Sequence, residues 1–312
     1  MQHTPATPAD TGSPGSWAYL HLLVVYLVWG STYLAVKICL SGPEAATPWQ
    51  LQAARLGCAT LLLAAYAWFM YGLPKRPERA AIITGTTSGI LLWVLGNGLA
   101  TWVAQDTTSS FIVMCMGLIP LWMVTIESLM TRKWPTRRAM LGLVAGLVGL
   151  VVMVAPTLQS APDMAIIRPG QELPVLASVL AGGAFWAWGS SLQRRQPDGL
   201  PAAWIATLQM GAATVLLLAI AAFEQGPLPS MPAPRQWLAF GFLVICGSIL
   251  AMISFQKVIR HFPPSVASTF AYVNPLVGML LGAWLLHEPV HGLSIVGFAI
   301  ILGSLWLVLR HH

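Results

Sequence analysis

Ten apolar runs, each long enough to cross a bilayer as a helix, limit what this chain can fold into more than any other feature. They cover about residues 17–38, 48–71, 80–103, 108–130, 138–156, 173–193, 201–223, 236–258, 265–286 and 292–310. A hydrocarbon core of about 30 Å takes ~20 helical residues. Inside it the backbone must satisfy its own hydrogen bonds, so helices are the expected form. Composition agrees, because only 8% of the 312 residues are charged, against about 25% in a soluble domain. That is too little charge to clothe a water-exposed surface. The expected fold class is an all-α polytopic membrane protein set in the lipid bilayer, with Trp17, Trp49, Trp134 and Trp237 as interfacial aromatics at span ends.

Loop charge gives each end of the bundle a side. With the N-terminus inside, the inside segments hold Lys75, Arg76, Arg79, Arg132, Lys133, Arg137, Arg138, Arg194, Arg195, Lys257, Arg260 and Arg310. The outside segments hold only Lys37, Arg168 and Arg235. The excess of basic residues inside predicts a bacterial inner-membrane protein with both termini cytoplasmic. It also accounts for the net charge of +6 without a nucleic-acid partner. The opening MQHTPATPADTGSPGS lacks a basic n-region and reads as a disordered cytoplasmic tail, residues 1–16. The four cysteines are far apart, with no C-x-x-C pair. No metal and no cofactor is expected.

The chain also repeats itself. VWGST (Val28–Thr32) in the first span matches AWGSS (Ala187–Ser191) in the sixth, and GCATLLLA (Gly57–Ala64) matches GAATVLLLA (Gly211–Ala219). Pro120 and Pro275 lie 155 positions apart, as do Gly142 and Gly297. Four matches in order at nearly one offset indicate duplication. A unit of five spans is odd, so the second copy enters the membrane from the opposite side. The loops follow: TRKWPTRR after the fourth span is basic, and HEPVHG after the ninth has no Lys or Arg. The expected organisation is two inverted five-helix repeats, residues 17–156 and 173–310, joined by a periplasmic linker over 157–172. Inverted repeats with a site at their shared midplane are a common plan of secondary transporters.

WGSTYLAVK in the first span, ARLGCATLLLAA in the second, and above all Ser265–Gly303 (SVASTFAYVNPLVGMLLGAWLLHEPVHGLSIVGFAIILG) carry a likeness to a known family. The chain resembles the drug/metabolite transporter superfamily, and within it the EamA-type ten-helix permeases. The resemblance implies a five-plus-five inverted repeat and export of amino acids, metabolites or toxic small molecules. This chain departs from the pattern where Thr131-Arg132-Lys133 replaces a common Glu, and where Gln209 stands at the place of Arg55.

HEPVH (His287–His291) fits the zinc-peptidase pattern H-E-x-x-H. Pro289 would interrupt the helix that must bring the two histidines to one face. A third ligand is missing too, since no Asp or Glu follows Glu288 and the later histidines, His311 and His312, lie beyond another span. The segment reads as a turn with Glu288 accepting from the start of the tenth span. A membrane-embedded zinc hydrolase using His287, Glu288 and His291 is the alternative from another class. No other enzyme constellation is present, and the chain is expected not to be an enzyme.

Candidate substrate contacts are polar or aromatic residues at mid-span. Tyr26, Trp29, Tyr33 and Lys37 share one face of the first span, with Ser31 and Thr32 beside Gly30, where the helix could loosen. That stripe lines a cavity or packs helices together. Trp93 and Asn97 lie along the third span, the amide serving as cavity wall or interhelical glue. Of Trp186 and Trp188 in the sixth span, Trp188 is favoured as the repeat mate of Trp29. Asn274 before Pro275 marks an exposed carbonyl or a packing kink. Arg55, about seven residues into its span, binds a substrate carboxylate or anchors the structure. Glu127 is expected to pair with Arg132. No Asp or Glu falls near mid-span, which argues against an intramembrane carboxylate relay for protons. The expected function is export of small amphipathic metabolites, amino acids among them, by alternating access. Drug efflux or uptake on the same fold is the runner-up.

Overall fold

The computed structural model describes residues 16–41, 45–74, 77–107, 112, 115–158, 167–224, 231, 233–285 and 292–309. The described residues form ten long helices. They are α1 (Ser16–Cys39), α2 (Pro48–Tyr71), α3 (Arg79–Gln105), α4 (Ile119–Thr131), α5 (Arg137–Leu158), α6 (Glu172–Arg194), α7 (Ala202–Phe223), α8 (Pro234–His261), α9 (Phe270–Leu285) and α10 (Gly292–Leu309). HEPVH lies outside the described residues. Large apolar side chains stand exposed around the bundle, with Phe69 and Phe223 at 88% and Leu173 at 77%. Such faces are costly in water and fit a hydrocarbon surround.

Local chemistry sets the helix ends. Thr47 caps α2, its hydroxyl accepting from the Gln50 backbone N–H while the Gln50 side chain accepts from the Thr47 N–H. Pro48 follows at the first helical position, where no N–H is needed. Arg132 takes a left-handed φ of 56° and ends α4.

The helices pair as an inverted duplication requires. α2 lies along α7 and α5 along α10, each helix against its own repeat mate. α1 packs on α8 and α9, and α6 packs on the mates of those two, α3 and α4. Departures from regular helix are mirrored as well. The α3 helix carries a π segment at Ile90–Gly98 and α8 carries one at Leu243–Leu250. The turn before α4 closes through Leu118 N–H to Cys115 O, and the turn before α9 through Thr269 N–H to Val266 O.

The loops with most of the basic residues gather at one end, here called the basic end. There Arg195 holds Glu127 with two 3.0 Å bonds, Arg194 donates to Phe262 O at 2.7 Å, and Trp204 donates to Gly72 O at 3.1 Å. The expected partner of Glu127, Arg132, is replaced by Arg195 because the α6 end lies alongside α4. At the far end Gln236 donates to Ser41 O at 2.8 Å and Thr47 donates to Glu224. Trp49 stands at the start of α2, at a span end as expected, and is half-buried. It packs inward, leaving no room for a Cβ on Gly98.

Gly30 also differs from expectation. The α1 helix runs unbroken through it, and the missing side chain serves close packing: a Cβ there would fall 2.5 Å from Cβ of Val277 on α9. Membrane helices gain little from burying apolar groups against each other rather than lipid, so such close approach is a main source of their cohesion.

Candidate functional site

A cavity of about 40 Å³ lies where α1, α2, α3, α6, α9 and the start of α4 converge. Its wall begins with α1, which presents Trp29, Thr32 and Tyr33, spread over about one helical turn. Trp29 is fixed by its indole N–H, which donates to the carbonyl of Gly247 at 3.0 Å. Gly247 belongs to the π segment of α8, a kind of distortion that recurs at functional sites. A Cβ there would crowd the site, sitting 3.0 Å from Thr32 Cγ2 and 3.3 Å from an Arg55 guanidinium nitrogen.

Around Trp29 the aromatic side chains close edge to face. Its ring lies 5.2 Å from Trp186 and 5.1 Å from Phe270, and Trp186 lies 5.9 Å from Trp93. T-shaped contacts of this length are favourable and keep each ring in one orientation.

Arg55 supplies the charge. It is 2% exposed, and among the described residues it forms no salt bridge. Its Nε donates to Ser248 Oγ at 2.8 Å, one Nη donates to Gln52 Oε1 at 3.4 Å, and the guanidinium carbon stands 5.5 Å from the centroid of Trp93. Ser248 passes its own proton to Leu243 O at 2.9 Å, so the serine oxygen is held ready to accept. Gln52 donates to Asn97 Oδ1 and, at 3.2 Å, to Thr101 Oγ1. The result is one line of polar groups, Asn97–Gln52–Arg55–Ser248, running from α3 through α2 to α8.

That line leaves donors over. A guanidinium has five N–H groups, and two of them have an acceptor among the described residues. Three of the lining residues also carry a buried polar atom without a partner: the indole nitrogens of Trp93 and Trp186, and Oδ1 of Asn274. Buried polar atoms in a folded protein are nearly always bonded, to protein or to water. Unpaired ones gathered on one small cavity mark a place for a polar ligand or water.

Of the seven residues singled out from the sequence, six meet here: Trp29, Tyr33, Arg55, Trp93, Asn97 and Asn274. Trp188 does not. It is 46% exposed, and Trp186 takes the place at the cavity. Two positions on a helix differ by about 200°, so only one of the two can face inward. Gly182, Gly183, Gly189 and Ser190 share the buried side with Trp186, whereas Leu173, Leu176, Leu180 and Trp188 form the exposed stripe. The repeat match to Trp29 pointed to the outward-facing ring, and the small-residue face would have pointed to the one at the cavity. Gln52 was missed although it lies one turn from Arg55 on the same face. Ser248 and Phe270 gave no signal in the sequence. Pro275 removes the N–H that would reach Ala271 O, so the carbonyl it spares belongs to Ala271. The part of Asn274 at the cavity is its side chain.

At about 40 Å³ the cavity holds a few waters, at roughly 10–15 Å³ each. Pockets for metabolites run to about 300–1,000 Å³. Admission of any metabolite therefore requires the helices around it to move apart.

The chain is similar to several known proteins along most of its length. It is 29% identical to the inner membrane transporter YedA of Escherichia coli strain K12 over 91% of this chain and 89% of that one. It is 22% identical to the transporter YyaM of Bacillus subtilis strain 168, over 91% and 90%, and 23% identical to Protein PecM of Dickeya dadantii, over 75% and 83%. A solved crystal structure superposes with a TM-score of 0.76 at 18% identity, covering 95% of this chain and 97% of that one, which establishes a shared fold. The model of the EamA-like transporter family matches residues 16–155 and again residues 173–310. With one match on each five-helix half of a ten-helix membrane bundle, the chain belongs to the EamA-like transporter family.

Proposed function

We propose that this transporter exports small amphipathic metabolites, amino acids among them, through the inner membrane by alternating access. The observation that carries the reading is Arg55, a buried cation with no carboxylate partner among the described residues, set in a box of tryptophans. An isolated buried charge is expensive, and a substrate bearing a carboxylate at one end and an apolar group at the other would offset that cost. The cavity between the repeats is too small for such a molecule as it stands, so each half must rock against the other to admit and release it. The basic end faces the cytoplasm in this reading, with both termini on that side, following the excess of Lys and Arg there. The expected contacts are Trp29, Tyr33, Arg55, Trp93, Asn97 and Asn274, with Trp186 in the position first sought at Trp188.

The test is release from proteoliposomes loaded with a mixed pool of amino acids and related metabolites, each followed by mass spectrometry against empty liposomes. Selective loss of one class, reduced severalfold by Asn97→Ala, supports the proposal. A folded protein that releases no member of the pool defeats it.

A further inference from the structure

The hydrogen-bonding groups on the cavity wall carry a bias that goes beyond the choice of an amphipathic substrate. The bias concerns charge, and it rests on the reading just given. On the donor side stand the guanidinium of Arg55, two of whose five N–H groups have an acceptor among the described residues, and the unpartnered indole nitrogens of Trp93 and Trp186. On the acceptor side, Oδ1 of Asn274 is the one unpartnered buried side-chain atom on the lining. The lining contains no Asp or Glu.

The described carboxylates all stand at helix ends or beyond them. Glu127 is held by Arg195, Asp106 by Arg168 at 2.9 Å, and Glu224 by Thr47. Glu78 precedes α3, Glu172 opens α6, and Asp198 follows α6. Among the described residues, the cavity therefore has one formal charge, and it is positive.

We infer that the species carried is a small organic monoanion, a carboxylate with an apolar or aromatic remainder, in preference to a zwitterion or a cation. A carboxylate can take a bidentate pair of N–H bonds from Arg55 and a further bond from an indole N–H. The apolar remainder lies against the rings of Trp29, Trp93 and Trp186. A zwitterion brings an ammonium as well, and although Thr32, Tyr33, Asn97 and Asn274 carry oxygens that can accept from it, the one formal charge on that wall is the like charge of Arg55. A cation meets that field with nothing to offset it. With no titratable carboxylate at the cavity to exchange for a proton, each anion that leaves carries its charge out alone. Export is then electrogenic, and an inside-negative membrane potential drives it.

The test uses three probes with one side chain and different charge: N-acetylphenylalanine as the anion, phenylalanine as the zwitterion and phenylalaninamide as the cation. Each is loaded into proteoliposomes of the full chain, and an inside-negative potential is set with valinomycin and a potassium gradient. The expected result is release of N-acetylphenylalanine at least about tenfold faster than the other two, equivalent to ~1.4 kcal/mol. That release should quicken as the potential rises and stay unchanged when a pH gradient is added. Arg55→Gln should lose the preference among the three probes. Should that variant fail to fold, quenching of tryptophan fluorescence in the unmodified protein by the same probes reads the preference without it. Phenylalanine leaving as fast as the anion, with no response to potential, overturns the inference and leaves the exporter standing. Release of none of the three, together with failure of the mixed pool, overturns both.

Discussion

Arg55 and Gln209 occupy matching places in the two repeats, and what surrounds them separates a site from a seam. Both are buried, at 2% and 0% exposure. Each reaches from the repeat-mated pair α2 and α7 toward a helix that carries a π segment. Arg55 donates to Ser248 on α8, and Gln209 donates to Ser88 on α3 at 2.9 Å. From there they diverge. Gln209 also accepts from Gln256 at 3.2 Å, and Ser88 donates onward to Gly85 O at 3.0 Å. Gln209 Cα lies where a Cβ on Gly89 would be only 2.5 Å away. The side chains there bond to neutral groups, and the backbones leave no space. Around Arg55 the partners among the described residues run out before the donors do, and a cavity lies next to it. Duplication supplied one frame twice. A charge without a counter-ion among the described residues stands beside a cavity in one copy, while neutral side chains and close backbones fill the same place in the other.

The largest way to break this comparison is to make the two copies alike. Gln209→Arg puts a cation where the lining groups are neutral and the backbones leave no room. An unpaired buried charge costs about 3–5 kcal/mol, and overpacking adds roughly 1–3 kcal/mol. The variant should show a steep loss of stability in an SDS titration and poor recovery from the membrane. A stable variant would mean that the second copy can open as the first does.

A second pair of repeat mates sharpens the comparison at the aromatic layer. Trp29→Ala removes a ring that touches Trp186, Phe255 and Phe270 and leaves Gly247 O without its donor. The expected loss is about 3–5 kcal/mol, the usual range for a buried aromatic. Trp188→Ala, at the lipid-facing mate, should stay within ~0.5 kcal/mol in the same titration. Equal effects would restore Trp188 to the inner face.

How far the sequence could be read follows from which forces act over one helix and which act between helices. Spans such as α1 and α7 were legible because bilayer crossing demands about 20 apolar residues whatever their neighbours. The inversion was legible in TRKWPTRR and HEPVHG, since loop charge sets orientation directly. Arg55 and Asn97 stood out because polar groups are rare at such depth. The π segments did not stand out, as Ile90–Gly98 and Leu243–Leu250 are apolar stretches like any other. Ser248 could not be chosen from the many small residues until α8 was laid against α2. Trp186 was lost for a related reason: a match along the chain says which residues share ancestry and nothing about the face on which each lies.

The finest distinction lies between the two serines. Ser248→Ala removes the acceptor of a charged donor, and hydrogen bonds to charged groups contribute about 1.5–3 kcal/mol. It also frees Arg55 to turn within the cavity, so export should fall along with stability. Ser88→Ala removes a neutral acceptor, which contributes about 0.5–1.5 kcal/mol. Gln209 keeps its bond from Gln256, and export should stay near its original rate. Measuring both variants for SDS-induced unfolding and for release from proteoliposomes separates the two roles. If Ser88→Ala lowers export as much as Ser248→Ala, the seam belongs to the moving parts, and the division between a binding copy and a sealing copy is wrong. If only Ser248→Ala does so, the π segment of α8 is what holds the charge in register with the substrate, and its mirror in α3 holds the bundle together.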